Sequence, residues 1–475
     1  MKQSGNFPAP WLRRAATRRM FWTDGRSGFY PLPVCRRKAE LLELTGAWAE
    51  AEAIYGQCLE WLAGGPKQRL AAEVSLSLGN LLRKRGMMER SFHLLEQSLA
   101  LLESIGDEQG QARALGYLGL AHAAISALGP AVDCYQRSIE IARRLNDRRN
   151  LLPALGNLAN IHIQQGRYEQ ASRNLEECRR IAEAAGDLQK LAGVWGNLGS
   201  LNLCQGRFPR AERCYRRQMD LASRIGDKYN HCYAIGNLGI IHQRHNYGQA
   251  RDCYLQQLSI ATELNLVQGI MDALGNLGPI SYFSGEYQSS LDWSRRQLEL
   301  AQRTGNQEAA SQALGNMGSV CKELSKLDEA AGYLEQAVAI DRQLGLRNFL
   351  CSHLAFLADL RYRQGALADA AALNGEVLKM AAEPGLEAEL YSARVLEAKL
   401  DYTADQDRGR AVLQRLWRDG LGDDEAALWH YEMYRMTGSD EQRIRALGQY
   451  RSLYRRQPKA QHRDRITEME ASGGT

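Results

Sequence analysis

Apolar residues along this chain recur at helical spacing and are interrupted at regular intervals by glycine. In the stretch from Ala154 to Asp187, Leu155, Leu158 and His162 mark one face of a first helix, with Ala159 between them. Leu175 and Ile181 belong to a second helix. Spacing of three to four residues places side chains on one helical stripe, whereas strands alternate with period two. Gly166 separates the two helices, and Gly186 followed by Asp187 reads as a left-handed cap ending the second. The pattern predicts a helical hairpin.

The hairpin recurs. Its turn position is held by Gly46, Gly86, Ser126, Gly166, Gly206, His245, Gly285, Ser325 and Gly365, spaced by 40 residues except for a gap of 39 before His245. Five residues further on stand Ala51, Ser91, Ala131, Ala171, Ala211, Ala250, Ser290, Ala330 and Ala370. Seven residues before the turn, or six in the shortened unit, stand Ala39, Gly79, Gly119, Ala159, Gly199, Gly239, Gly278, Gly318 and Ala358. Both columns are small in every unit. Paired helices approach most closely where their side chains are smallest, and a large residue there would part them. Gly106, Asn146, Gly226, Asn265, Gly305 and Gly345 share the capping place of Gly186, as a positive φ demands. A single hairpin cannot bury its own apolar face, so neighbours must stack. The expected fold class is all-α, an α-solenoid.

The unit "ALGNLANIHIQQGRYEQA" (154–171) resembles the tetratricopeptide repeat with a linker that lengthens the period. Its Leu155–Gly156–Asn157 triplet and the echoes of it resemble the leucine-glycine-asparagine repeats of polarity adaptors, kinesin light chains and bacterial peptide-sensing regulators. The resemblance covers about residues 34–385, as nine repeats. It implies a right-handed superhelix whose first helices line a concave wall.

With the turn residue numbered fifteenth, positions 4, 7, 8 and 11 of a first helix form the buried stripe. Positions 2, 6, 9 and 13 form a second stripe roughly opposite. Position 6 is asparagine in five consecutive units: Asn157, Asn197, Asn237, Asn276 and Asn316. It is neither a core position nor a cap. The resemblance places these amides as a ladder in the concave groove. Each amide offers a donor and an acceptor to the backbone of an extended guest peptide. Hydrogen-bonded bracing between repeats is the alternative role. Tyr117, Tyr233, Phe283 and Phe356, with Arg113, Arg244 and Arg363, flank the ladder as further peptide-contact candidates. Such a groove is polar and nearly neutral, unlike a nucleic-acid channel. Tyr117 and Pro153 occupy places where a clamp for a C-terminal carboxylate would need polar or cationic groups. Pro279, at position 9, removes a hydrogen bond to the Gly275 carbonyl and is expected to kink its helix.

Residues 1–33 read as an irregular basic leader with Pro8, Pro10, Pro31 and Pro33, its Arg13, Arg14, Arg18 and Arg19 forming a solvated tail. Residues 386–457 read as degenerate helical repeats that cap the stack, beginning with "AELYSARVLEAKLDY", and 458–475 as a polar tail. "YRSLYRRQPKAQHRDRI" is similar to the closing segment of tetratricopeptide arms in large bacterial signalling proteins, which carry ATPase, cyclase or kinase heads. No such head is recognisable in the chain.

The 475 residues are 44% hydrophobic and 24% charged, with a formal charge of +5. That charge makes no strong case for nucleic acid or a membrane surface, and no apolar run is long enough to span a bilayer. Ten scattered cysteines without a C-x-x-C pair fit reduced thiols and a cytoplasmic location. Phosphate-loop, nucleophile-elbow and H-E-x-x-H signatures do not occur. His122, His162 and His242 share position 11 and read as partly buried histidines with one hydrogen bond each, not a metal site. Arginine pairs on second helices, Arg216/Arg217 among them, read as solvated outer faces, with an acidic partner as the minority reading. The expectation is a non-enzymatic scaffold without cofactor or metal. It would bind a protein or peptide ligand, without nucleic acid or membrane insertion, with end repeats available for self-association. A peptide-sensing regulatory arm and an enzyme of unrecognised type are the alternatives.

Overall fold

The computed structural model describes residues 32–472 apart from 45–46, 64, 126, 383–384 and 418–420. Apart from Leu32 and Pro33, the expected basic leader lies outside the described residues, as do Gly46 and Ser126. Among the described residues the regular structure is 23 helices. Nine hairpins come first: α1 (Leu32–Leu44) with α2 (Trp48–Leu62), α3 (Gln68–Lys84) with α4 (Met88–Ser104), and α5 (Glu108–Ala124) with α6 (Leu128–Arg144). Then follow α7 (Arg148–Gln164) with α8 (Tyr168–Ala185), α9 (Leu188–Cys204) with α10 (Phe208–Ile225), and α11 (Lys228–His242) with α12 (Tyr247–Glu263). The last three are α13 (Val267–Phe283) with α14 (Tyr287–Thr304), α15 (Gln307–Glu323) with α16 (Leu327–Leu344), and α17 (Arg347–Arg363) with α18 (Leu367–Met380). Five further helices close the array: α19 (Glu387–Ala404), α20 (Gln406–Leu416), α21 (Asp423–Thr437), α22 (Asp440–Arg456) and α23 (Ala460–Ala471). The segment expected as a polar tail therefore holds α23, whose Met469 is fully buried.

Each helix packs on the next, and first helices of successive units also pack side by side, α7 on α9 and α9 on α11. Successive second helices do not pack together; the next first helix lies between them. This is an α-solenoid.

The small columns are where the paired helices meet. A Cβ on Gly119 would lie 2.6 Å from the Tyr135 ring, one on Gly199 2.3 Å from Tyr215, and one on Gly239 2.6 Å from Tyr254. Leu95 fills the same place over Gly79, and Leu334 over Gly318. Where the facing column carries serine, its hydroxyl donates across the gap: Ser91 to the Gly79 carbonyl at 2.7 Å, Ser290 to that of Gly278 at 2.8 Å. The backbone of one helix thus touches side chains of the other without an intervening Cβ.

The capping places behave as their residue types require. Gly186 has φ 63° and Asn146 φ 53°. In the shortened unit the chain instead enters α12 through extended Asn246 (φ −150°), whose side chain accepts from the Gln249 amide at 3.0 Å. The kink expected at Pro279 does not interrupt its helix: α13 is continuous from Val267 to Phe283. Packing against α12 and α14 holds the helix on both sides of the proline.

The coil returns to itself. A Cβ on Gly86, in the turn of the second unit, would lie 3.8 Å from the Gly305 carbonyl oxygen, in the linker after the seventh. The Gln457 side chain donates to the Gln243 carbonyl at 2.8 Å, and that of Gln461 to the Tyr282 hydroxyl at 2.7 Å.

Two glycines on first helices should respond oppositely to alanine. Nothing lies within 4 Å of a Cβ on Gly116, so Gly116→Ala gains helix propensity, about 0.5–1 kcal/mol of stability. Gly199→Ala drives a methyl into the Tyr215 ring and loses about 1–3 kcal/mol to overpacking. Urea titrations followed by circular dichroism check both; equal midpoint shifts would refute the packing account.

Candidate functional site

The five repeated asparagines sit on α7, α9, α11, α13 and α15, which adjoin in that order. All five are half-buried. The Asn197 Nδ2 lies 3.6 Å from where a Cβ of Gly156 would stand, and the Asn316 Nδ2 3.5 Å from that of Gly278. Each of these amides thus leans on the first helix of the preceding unit. Asn157 lies beside the Tyr135 hydroxyl. No side-chain hydrogen bond within the described residues engages Asn197, Asn237, Asn276 or Asn316. The Nδ2 of Asn316 is fully enclosed without a partner, which closes the donor side of that rung.

Beside Asn197, Asn237 and Asn276 the glycine of the triplet makes room for a glutamine. A Cβ on Gly196 would meet the Gln218 amide at 2.8 Å, one on Gly236 that of Gln257 at 2.5 Å, and one on Gly275 that of Gln297 at 2.6 Å. These second-helix glutamines are buried, and the Oε1 of each lacks a hydrogen-bond partner. Units with short residues at that place, Ser138 and Cys178, return their hydroxyl and thiol to the backbone carbonyls of Ala112 and Leu152. The glutamine column, spaced by 39 and 40 residues, was visible in the sequence and passed over there.

The flanking candidates have different surroundings. Tyr117 and Tyr233 are half-buried, and the Tyr233 ring packs on Tyr229 with centroids 4.8 Å apart. Arg113 is exposed, 3.9 Å from Glu73. The Arg244 guanidinium covers the Phe208 ring at 3.7 Å, a cation–π contact that reaches from its own turn to the preceding hairpin. Phe283 stacks on Tyr247 with centroids 5.7 Å apart, and Lys459 from the closing segment approaches its ring at 6.0 Å. Phe356 is exposed, with the Lys322 ammonium 5.3 Å from its ring. Arg363 is paired with Asp359 at 3.2 Å.

That last pair belongs to a network that sequence reading missed. Lys322, only 7% exposed, reaches Asp359 at 3.1 Å, and Lys399 lies 3.9 Å from the same carboxylate. Burial pushes the Asp359 carboxyl up, but Lys322, Arg363 and Lys399 outweigh it and hold the pKa at about 2. A second brace joins three successive helices: the buried Asp341 carboxylate accepts from the Ser311 hydroxyl and lies 2.7 Å from His353 Nδ1. The hydroxyl bonds the carboxylate and the carboxylate the imidazole, and the group ties repeats together. Of the position-11 histidines, His162 sits 3.5 Å from the Asn174 amide. The expected hydrogen bond is absent at the Nδ1 of His122, which is enclosed without a partner while its ring packs on Phe92. Among the described residues no group of three or more His, Cys, Asp or Glu is placed to hold a metal ion, and no helix is long and apolar enough to cross a membrane.

The profile described as "Tetratricopeptide repeat" matches residues 70–144, 110–184, 190–263 and 269–343, more than half of the chain. The chain belongs to the tetratricopeptide repeat family. Such repeats are typically protein- or peptide-binding modules, and the matched profile brings no catalytic domain with it. No curated protein matches the chain. Among solved structures, the apo form of RapI is similar at 13% identity, covering 72% of this chain and 98% of that one, with a TM-score of 0.53. BtubC (BKLC) from P. vanneervenii is similar at 22% identity over 46% of this chain and 92% of its own, with a TM-score of 0.41. A signal-transduction ATPase with a tetratricopeptide repeat sensor from Pyrococcus horikoshii is similar at 15% identity over 81% and 52%, with a TM-score of 0.49. These likenesses concern the fold.

The Asp359 network sets an acid response. Its folded pKa lies below the ordinary 3.8, so its contribution is complete above about pH 4 and is lost as the pH falls from there towards 2. Asp359→Asn should cost roughly 3 kcal/mol at pH 7, the low end for breaking a buried pair, because Asp359 itself is a quarter exposed. Denaturant titrations at pH 7 and pH 2.5 check this; a deficit of the same size at both would refute it.

Proposed function

We propose that this chain is a non-enzymatic interaction scaffold that holds an extended peptide segment of a partner protein along the wall formed by its first helices. The observation that carries this reading is the row of asparagine amides, of which Asn197, Asn237 and Asn276 have no side-chain hydrogen-bond partner among the described residues. Half-buried amides that make no intramolecular hydrogen bonds keep donor and acceptor capacity for a guest backbone. Each net hydrogen bond contributes about 0.5–1.5 kcal/mol. Backbone contacts of this kind support millimolar to micromolar affinity, and Tyr117, Tyr233 and Phe356 supply side-chain preference. Bracing between repeats, the competing role, would consume those groups in hydrogen bonds. Family membership favours a protein or peptide ligand in general terms and leaves its sequence open.

One observation favours a peptide-sensing variant of the same reading. The closing segment, through Lys459 and Gln461, lies on Tyr282 and Phe283 at the end of a ladder helix. A guest reaching Phe283 would compete with that segment, and binding would then be coupled to opening of the coil.

The test compares wild type with an Asn197/Asn237/Asn276→Ala variant of equal helicity in a pull-down, followed by titration of a recovered partner peptide. Loss of three rungs should weaken binding by about 1.5–4.5 kcal/mol in total. Equal recovery and equal affinity would remove the ladder from the function.

A further inference from the structure

One cavity lies away from the ladder. It is a cleft of about 860 Å³ between the second helices α8 and α10, with α9 as its floor. None of the ladder asparagines lines it. Its floor carries half-buried Trp195 and Leu198, beside Asn202. Its walls carry Arg173 from α8 and Arg207, Arg210, Arg213 and Arg217 from and just before α10, against the single carboxylate Glu169.

Four of the five arginines of "RFPRAERCYRR", Arg207, Arg210, Arg213 and Arg217, fall at intervals of three, three and four residues, so helical periodicity sets them on one stripe. That stripe rises about 15 Å along the helix. The cleft exists because successive second helices are held apart by the first helix between them. Several other second-helix arginines are paired: Arg143 with Glu177, Arg179 with Glu176 and Glu183, Arg216 with Glu212. In the cleft, Arg217 meets Asp220 at 3.1 Å. Arg173, Arg207, Arg210 and Arg213 have no ion pair among the described residues.

We infer that this cleft is a second binding site, for a short acidic peptide segment of a partner protein carrying an apolar anchor residue. Guanidinium groups grip carboxylates through paired hydrogen bonds, and several unpaired ones converging on one cleft attract an anion that a single exposed pair would hold poorly. The anchor sits on Trp195 and Leu198, and carboxylates on either side of it meet the arginine walls. The stripe's length suits a peptide of four or five residues. A nucleic-acid strand fits less well: the basic surface ends within one helix, and α8 continues beside it with Glu176, Glu177 and Glu183. The chain's own residues 1–31 are also excluded by charge, with Lys2 and five arginines against Asp24.

The test is fluorescence anisotropy with a labelled peptide of sequence Glu-Glu-Asp-Leu-Asp-Glu-Glu against the full chain at low and physiological salt. Binding should weaken with salt. It should fall at least tenfold in Arg210→Glu/Arg213→Glu and also in the milder Arg210→Gln/Arg213→Gln, each checked for unchanged helicity. A matched reversal outside the cleft, Arg180→Glu/Arg224→Glu, should leave binding within twofold of wild type, as should the Asn197/Asn237/Asn276→Ala variant. The last arm separates this site from the ladder. Failure of the peptide to bind wild type, or equal binding by the cleft and control variants, would overturn the proposal. So would tighter, cleft-dependent binding of a single-stranded oligonucleotide of equal charge, which would reassign the site to nucleic acid.

Discussion

The close approach of paired helices at positions without a Cβ is the constraint on which the rest of this molecule depends. Tyr135, Tyr215 and Tyr254 lie over Gly119, Gly199 and Gly239 so tightly that even a methyl group would overlap the ring. This fixes the rotation of the first helix about its axis. Once position 8 faces the partner helix, position 6 must turn some 200° away from it. The placement of the asparagine ladder is thus a consequence of glycine packing. A second requirement is layered on the first: Gly196, Gly236 and Gly275 admit buried glutamines beside the ladder. The Leu-Gly-Asn triplet therefore combines a wall residue with the space for a side chain behind it.

Stacking generates the two faces differently. First helices adjoin from unit to unit, so their exposed stripe is continuous and suited to something long. Second helices are separated by the next first helix, so their face is a series of short clefts. The cleft between α8 and α10 brings Arg173, Arg207, Arg210 and Arg213 together on its walls. The same stacking rule thus gives one continuous face and one divided face, and the residue types differ between them.

Polar groups inside the array do structural work that does not resemble the ladder's. Asp341 with Ser311 and His353, and Asp359 with Lys322, Arg363 and Lys399, join successive units near the C-terminal end of the array. Such links specify which helix neighbours which, and they become liabilities when one partner is removed. The turn-to-turn approach of Gly86 and Gly305 and the hydrogen bonds of Gln457 and Gln461 add contacts between distant units. A purely nearest-neighbour solenoid lacks such contacts.

Much of the architecture was legible along the chain because it is local and repeated. Small residues at fixed offsets, Gly or Asn in the left-handed position after second helices such as α6, α8 and α10, and apolar spacing of three to four residues are all set within one hairpin, and the unit boundaries follow from them. The ladder's register was legible for the same reason, since rotation about one helix decides it. What the sequence left open involves residues far apart or side chains that choose among partners. Arg244 turned to Phe208 and Arg363 to Asp359, which repetition cannot foretell because each contact uses a residue peculiar to its unit. Helix α23, with Met469 buried, was hidden in a stretch whose composition is polar, because only docking on α22 reveals its apolar side. The basic stripe on α10 was readable as spacing. That it faces a cleft, and that its neighbours leave it unpaired, depended on the distance between second helices, which tertiary stacking alone sets.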